Sequence, residues 1–287
     1  MKVNSIKLAD GRVLAFAEVG NPDGKPFFYF HGFPACRLEA MLAEPVAKKL
    51  GVRIIAPDRP GIGRSCYMPG RRITDWPDDV AHLADALGIE RFAVCGVSGG
   101  GPYSAACAWK IPHRLSAAGI VCGVGPPEIP HATDILIPPY KHSLRLAKTA
   151  PWLVKSFFSL TRPLFRQYPK MLLTTMAMGL PGPDRELLNN HALGRTLFAS
   201  VSEAFYSGSQ GPVHDLLLYV KPWGFSLKDI PIQILLWQGE MDRCVAPDCA
   251  RHMEKHLPLC QASYSRNDGH FSLVVNNMEE IITRLTQ

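Results

Sequence analysis

Short apolar runs alternate with stretches of helical periodicity along most of this chain, and that alternation constrains the fold more than any other feature. Phe27, Phe28, Tyr29 and Phe30 form one run, residues 52–56 a second, Phe92, Ala93, Val94 and Cys95 a third, and residues 117–124 a fourth. Helical stretches at 37–50, 74–88 and 103–109 separate them. The middle stretch is the best defined: Thr74 or Asp75 caps it, Pro77 begins it, Val80, Leu83, Ala84 and Leu87 share a face, and Gly88 ends it. A strand apolar along its whole length is buried on both faces, so these runs predict an α/β fold with a parallel sheet covered by helices on each side. Residues 3–9 and 13–19, joined at Asp10-Gly11, add an antiparallel pair at the start.

From residue 126 to 225 the strand rhythm stops and proline-broken helical fragments replace it. It resumes with residues 232–237, a short run at 262–264 and a last helix carrying Phe271, Val274, Val275, Met278, Ile281, Ile282 and Leu285. The expected organisation is therefore a core domain of residues 1–125 and 226–287 with a helical cap, or lid, inserted as residues 126–225. A chain of 287 residues is long enough for such a domain and buries roughly three quarters of its unfolded surface.

A net charge of +6 is too small to point to nucleic acid. Eight cysteines include no C-x-x-C pair, which argues against disulfides and metal, and no metal is expected. The first residues, Met1-Lys2-Val3-Asn4-Ser5-Ile6, lead into charges and glycine rather than an apolar leader, and no apolar run reaches 18 residues. A cytoplasmic protein, monomer or homodimer, is the expectation.

Gly96-Val97-Ser98-Gly99-Gly100 matches G-x-S-x-G directly between a predicted strand and a predicted helix. At such a turn the serine backbone is strained and its neighbours must be small, so the hydroxyl of Ser98 stands at the carboxyl edge of the sheet as a candidate nucleophile. A plain glycine-rich turn or a phosphate loop is the alternative, but Gly99-Gly100-Gly101 lacks the following Lys-Ser/Thr of a P-loop. A serine hydroxyl needs a base, and the base needs a carboxylate to hold its tautomer. Asp242 and His270 follow the last two strands, in the order Ser, acid, His. Glu240, Asp248, Asp268 and Glu128 are rival acids. Oxyanion donors are expected from the N–H of Gly99 and from the loop His31-Gly32-Phe33-Pro34, at Phe33.

Together with Ala56-Pro57-Asp58-Arg59-Pro60-Gly61-Ile62-Gly63-Arg64-Ser65, Gly239-Glu240-Met241-Asp242 and Asp268-Gly269-His270, these segments make the chain resemble the lidded α/β hydrolases over nearly its whole length. The resemblance implies an eight-stranded sheet with its second strand antiparallel, no cofactor, and the oxyanion role of Phe33. Epoxide hydrolases and haloalkane dehalogenases of this fold carry an Asp nucleophile, so Ser98 implies acyl chemistry. Relatives of prolyl aminopeptidase have a further glycine where Phe33-Pro34 stands, which disfavours a peptidase. Ala35-Cys36-Arg37 departs from the usual Gly-Ser-Arg and leaves Cys36 either near the site or buried. Asp58-Arg59-Pro60-Gly61 is expected to be structural, and the alternative sets Arg59 at the pocket mouth.

Residues 141–170 carry seven bases and no acid, and Lys141, Arg145, Lys148, Lys155, Arg162 and Arg166 follow helical spacing broken by Pro151 and Pro163. Such a row is a solvated outer face or a surface for an anionic membrane or acidic substrate. Its apolar residues, Trp152, Phe157 and Phe158 among them, are candidate substrate contacts and suggest a small-molecule substrate with an apolar portion. The expected reaction is hydrolysis of a carboxylic ester or lactone through an acyl-enzyme. C–C bond hydrolysis, cofactor-free perhydrolase or haloperoxidase chemistry, and a non-catalytic ligand receptor with a hydrolase shell are the alternatives.

Overall fold

The computed structural model describes residues 3–129, 132–189 and 191–287, so Met1 and Lys2 of the N-terminal reading lie outside the described residues. Eight strands form one sheet: β1 (Asn4–Lys7), β2 (Val13–Gly20), β3 (Lys25–Phe30), β4 (Val52–Pro57), β5 (Phe92–Val97), β6 (Leu115–Val121), β7 (Ile234–Gly239) and β8 (Cys260–Ser265). Their order is β1-β2-β4-β3-β5-β6-β7-β8. β2 runs antiparallel to both β1 and β4, and the pairs from β4 to β8 are parallel. The antiparallel second strand thus stands as the resemblance implies, and the central parallel strands as their apolar runs imply.

Successive side chains of a strand point to opposite faces, and the core divides accordingly. Phe28, Phe30, Ile55 and Val94 face one hydrophobic cluster, whereas Phe27, Tyr29, Ile54, Ala93 and Cys95 face a second. Helices α1 (Glu44–Leu50), α2 (Trp76–Ala86) and α3 (Gly101–Lys110) follow the early strands. Residues 37–50 are not one helix: a 3-10 segment, Arg37–Ala43, precedes α1, because Pro45 in its first turn has no N–H to continue a ladder from upstream.

Between β6 and β7 lie α4 (Pro138–Thr149), α5 (Pro151–Gln167), α6 (Pro169–Ala177), α7 (Gly182–Asn189), α8 (His191–Ala204) and α9 (Gln210–Tyr219). Three of these helices begin at a proline, where a missing N–H costs nothing. Inward residues of these helices and of the turn after α8, including Phe158, Val201, Phe205 and Val213, merge with the first cluster, so the segment between β6 and β7 shares the core of the sheet.

Three helices close the chain, α10 (Pro247–His256), α11 (His270–Asn276) and α12 (Met278–Thr286). The single last helix of the sequence reading is divided at Asn277. None of the helices is long and apolar enough to cross a membrane, among the described residues.

Candidate active site

Ser98 opens a one-turn 3-10 segment between β5 and α3, with φ at 54°, a left-handed conformation rare for a residue with a side chain. The turn is so tight that a Cβ on Gly96 would lie 2.2 Å from the carbonyl oxygen of Gly100, and one on Gly100 would lie 2.2 Å from that of Phe30. Only glycine fits at either position. Ser98 lines a small cavity of about 50 Å³ together with Gly32, Phe33, Glu39, Tyr140 and His270.

His270 is the first residue of α11, and its Nδ1 lies 2.7 Å from Oδ2 of Asp242. Against a carboxylate Nδ1 must donate, which leaves Nε2 with a free lone pair. Burial pulls the pKa of the ring down, but the Asp242 carboxylate outweighs it and holds the ring above its ordinary value. Asp242 is fully buried; Oδ1 accepts from the N–H of Cys244 at 2.7 Å and of Val245 at 2.9 Å, and Oδ2 also accepts from Nε2 of Gln238 at 3.1 Å. The rival acids are engaged elsewhere or exposed. Glu240 and Asp248 both pair with Arg251, Asp268 binds Ser265, Asn276 and Asn277, and Glu128 faces solvent.

The Sγ of Cys122 lies within 4.8 Å of ligand atoms of Asp242 and His270, a grouping that could in principle hold a metal ion. Its donors suit that role poorly. The carboxylate already accepts four hydrogen bonds, Nδ1 of His270 is one of their donors, and burial pushes the Cys122 thiol well up, away from the thiolate a metal needs.

The loop bearing Gly32 and Phe33 is held on both edges. Glu39 accepts from the Gly32 N–H at 3.0 Å and from the Tyr29 hydroxyl at 2.8 Å. Arg59 donates from Nη1 to the His31 carbonyl at 2.6 Å and from Nη2 to the Gly32 carbonyl at 3.0 Å. Arg59 is completely buried, which fits the structural reading of its loop and not the alternative at a pocket mouth: a guanidinium that satisfies two loop carbonyls has to sit beneath the loop. Its Nε donates to Oδ2 of Asp215 in α9 at 2.8 Å, and Arg71 and Tyr103 donate to the other oxygen of that carboxylate. Burial opposes the charge on Asp215, yet the two guanidinium groups hold its pKa below the ordinary carboxylate value. Gly99 is packed against the loop, since a Cβ there would lie 3.0 Å from that of Phe33 and 2.4 Å from the Tyr219 hydroxyl. Cys36 is buried against Ser200 rather than facing the cavity.

Two of the three aromatic candidates on the insertion point elsewhere. Trp152 is 66% exposed and Phe157 53% exposed, because helical spacing in α5 turns Val154 and Phe158 inward and those two outward. Phe158 stacks on Phe165 and Phe205, its ring 6.3 Å from that of Phe33. Leu187, Leu193 and Leu197 line the cavity instead. Sequence reasoning also missed Asp184. From α7 its carboxylate accepts from the N–H groups of His270 at 2.8 Å, Phe271 at 3.0 Å and Ser272 at 2.9 Å, and from the Ser272 hydroxyl at 2.8 Å, capping the helix that carries His270. No local signal marks it, since Pro181-Gly182-Pro183-Asp184 reads only as a helix start.

The family model for the alpha/beta hydrolase fold matches residues 25–276. A hydrolase of Saccharomyces cerevisiae is 25% identical over 297 residues, covering 100% of this chain and 98% of that protein. The bifunctional esterase/perhydrolase of Acinetobacter calcoaceticus is 29% identical over 119 residues, 41% of this chain and 43% of that protein. Among solved structures, an esterase from Exiguobacterium antarcticum superimposes with a TM-score of 0.71 over the full length of both chains at 16% identity, a likeness of fold. With a match that spans most of the chain, this protein belongs to the α/β hydrolase fold family.

Proposed function

We propose that this protein is a serine hydrolase that cleaves a carboxylic ester or lactone through an acyl-enzyme on Ser98. The observation that carries the reading is that Ser98, on a left-handed turn, shares one cavity with His270, whose ring is held by buried Asp242. In the proposed mechanism Nε2 of His270 takes the hydroxyl proton as Ser98 attacks the carbonyl carbon. The resulting oxyanion is held by the N–H groups of Phe33 and Gly99, which need no reorganisation because their loops are locked by Glu39, Arg59 and close packing. The imidazolium, stabilised by Asp242, then protonates the departing alkoxide. Water, deprotonated by the same ring, attacks the acyl-enzyme and releases the acid.

A second reading has hydrogen peroxide replace that water, so that the acyl-enzyme yields a peracid; the likeness to the Acinetobacter esterase/perhydrolase favours it. Both readings are tested by a panel of 4-nitrophenyl esters and lactones, with and without peroxide, run beside Ser98→Ala. Turnover that survives Ser98→Ala sinks both, and peracid formation from acetate and peroxide separates the second from the first.

A further inference from the structure

Of the six spaced bases that stand out in the sequence, three have structural tasks or face elsewhere. Arg162 donates to the carbonyls of Phe205 at 3.0 Å and Tyr206 at 2.7 Å, Arg166 lies over the Tyr206 ring, and Lys155 borders a separate cleft beside Trp223. Lys141, Arg145 and Lys148 remain, on one face of α4, and all three rim a cavity of about 330 Å³.

The interior of that cavity is apolar. Leu136, Val245, Ala246 and Cys249 form a small hydrophobic cluster of their own, against which Ile129 and Leu144 pack. Among the described residues its lining contains no carboxylate, and Oδ1 of Asp134, outside the lining, lies 3.6 Å from Nζ of Lys141.

The cavity adjoins the Ser98 site through shared elements. Val124 in its wall donates its N–H to the Ser98 carbonyl at 3.0 Å, Val245 in its floor donates to Asp242, and Tyr219 in its wall abuts Gly99. Tyr140 lines the Ser98 cavity on one side and packs on the apolar cluster on the other. The Ser98 cavity alone, at about 50 Å³, has no room for more than a small group.

We propose that the α4 cavity continues the Ser98 cavity beyond Tyr140 and selects an ester with one apolar arm ending in an anionic group, the arm lying on the Val245 floor and the anion at Lys141, Arg145 and Lys148. The proposal rests on Ser98 being the nucleophile. Apolar lining favours the arm over water, and a rim of three cations favours a terminal negative charge over a neutral end.

Two matched pairs of esters test it: the mono-4-nitrophenyl ester of octanedioic acid against 4-nitrophenyl octanoate, and 8-acetoxyoctanoate against octyl acetate. In at least one pair the anionic member is expected to have the higher kcat/KM, and its advantage to fall about tenfold in Arg145→Glu/Lys148→Glu and to shrink at high salt. No anionic preference in either pair, or a preference unchanged by the reversal, overturns the proposal. Hydrolysis of 4-nitrophenyl acetate, compared in the parent and Ser98→Ala, reports separately on the nucleophile.

Calorimetric binding of decanoate to Ser98→Ala needs no turnover. It is expected to exceed that of decanol, to weaken about tenfold on rim reversal and to be lost in Ala246→Phe, which fills the floor. Decanoate binding equal to that of decanol, or indifferent to both variants, overturns the proposal. So does a rim reversal that abolishes binding to phosphatidylglycerol vesicles while leaving decanoate binding intact, since the rim would then serve a membrane surface.

Discussion

The sheet side and the insertion side of the Ser98 cavity hold their functional groups in different ways. On the sheet side, placement comes from backbone: a left-handed serine between glycines that admit no Cβ, and an Asp242 carboxylate gripped by two main-chain N–H groups of its own loop. On the insertion side, placement comes from single side chains that cross to the core. Asp184 reaches from α7 to cap α11, and Asp215 reaches from α9 to Arg59 and Arg71. The difference teaches where each side is vulnerable: changes on the sheet side should strike chemistry, and changes on the insertion side should strike stability and positioning first.

The largest effect expected is on the sheet side. Asp242→Asn keeps the shape of the side chain but removes the charge that fixes the His270 tautomer, and kcat should fall about 10⁴-fold, the scale on which losing the orienting carboxylate acts in such triads. Thermal unfolding should change little by comparison. The pH profile sharpens the point. A general base works when neutral, and the His270 pKa is held above its ordinary value by Asp242, so kcat/KM should drop on the acid side with a midpoint above that of an ordinary imidazole. In Asp242→Asn the residual activity should have its acid limb moved to lower pH. A limb that stays in place would assign the titration to another group.

Asp215→Ala should show the opposite balance. It leaves Arg59 and Arg71 buried without their counter-charge, and denaturant unfolding should show a loss of about 3–5 kcal/mol. A loss under about 1 kcal/mol would mean that the loop at residues 31–34 does not depend on the insertion. Asp184→Ala is milder. It removes the cap of α11 but leaves His270 bonded to Asp242, so about 2 kcal/mol of stability should go, with kcat reduced by roughly tenfold to a hundredfold through misplacement of the ring. Stability lost with kcat untouched would make Asp184 a cap and nothing more.

The same contrast explains what could be read from the chain. Ser98 and the strand that carries it are legible because a buried parallel strand must be apolar and a tight turn must be glycine-rich, and both demands are local. The central parallel strands are legible for the same reason, whereas the antiparallel place of β2 in an eight-stranded sheet follows from the resemblance and not from its own residues. Asp184 and Asp215 were not, because their partners lie 86 and 156 residues away in sequence, and an aspartate beside proline or in an apolar helix looks ordinary until the chain has folded. Glu39 escaped likewise: it follows the loop it holds by seven residues, yet nothing in its neighbours shows that it turns back into the cavity. Trp152 and Phe157 were misjudged because composition shows aromatics on the insertion but not which face of α5 is inward. Helix α10 also went unread: its buried Cys249, Ala250 and Met253 make too narrow an apolar stripe among its charges.

The nucleophile is the central claim, and covalent trapping tests it most directly. The protein is incubated with a diethyl phosphoryl ester such as paraoxon, its intact mass is measured, and the modified peptide is mapped. The account predicts one diethylphosphoryl group per chain, located on Ser98, with no adduct in Ser98→Ala and loss of ester hydrolysis in step with labelling. Label on another residue with Ser98 unmodified, or ester hydrolysis that continues in Ser98→Ala, would contradict it.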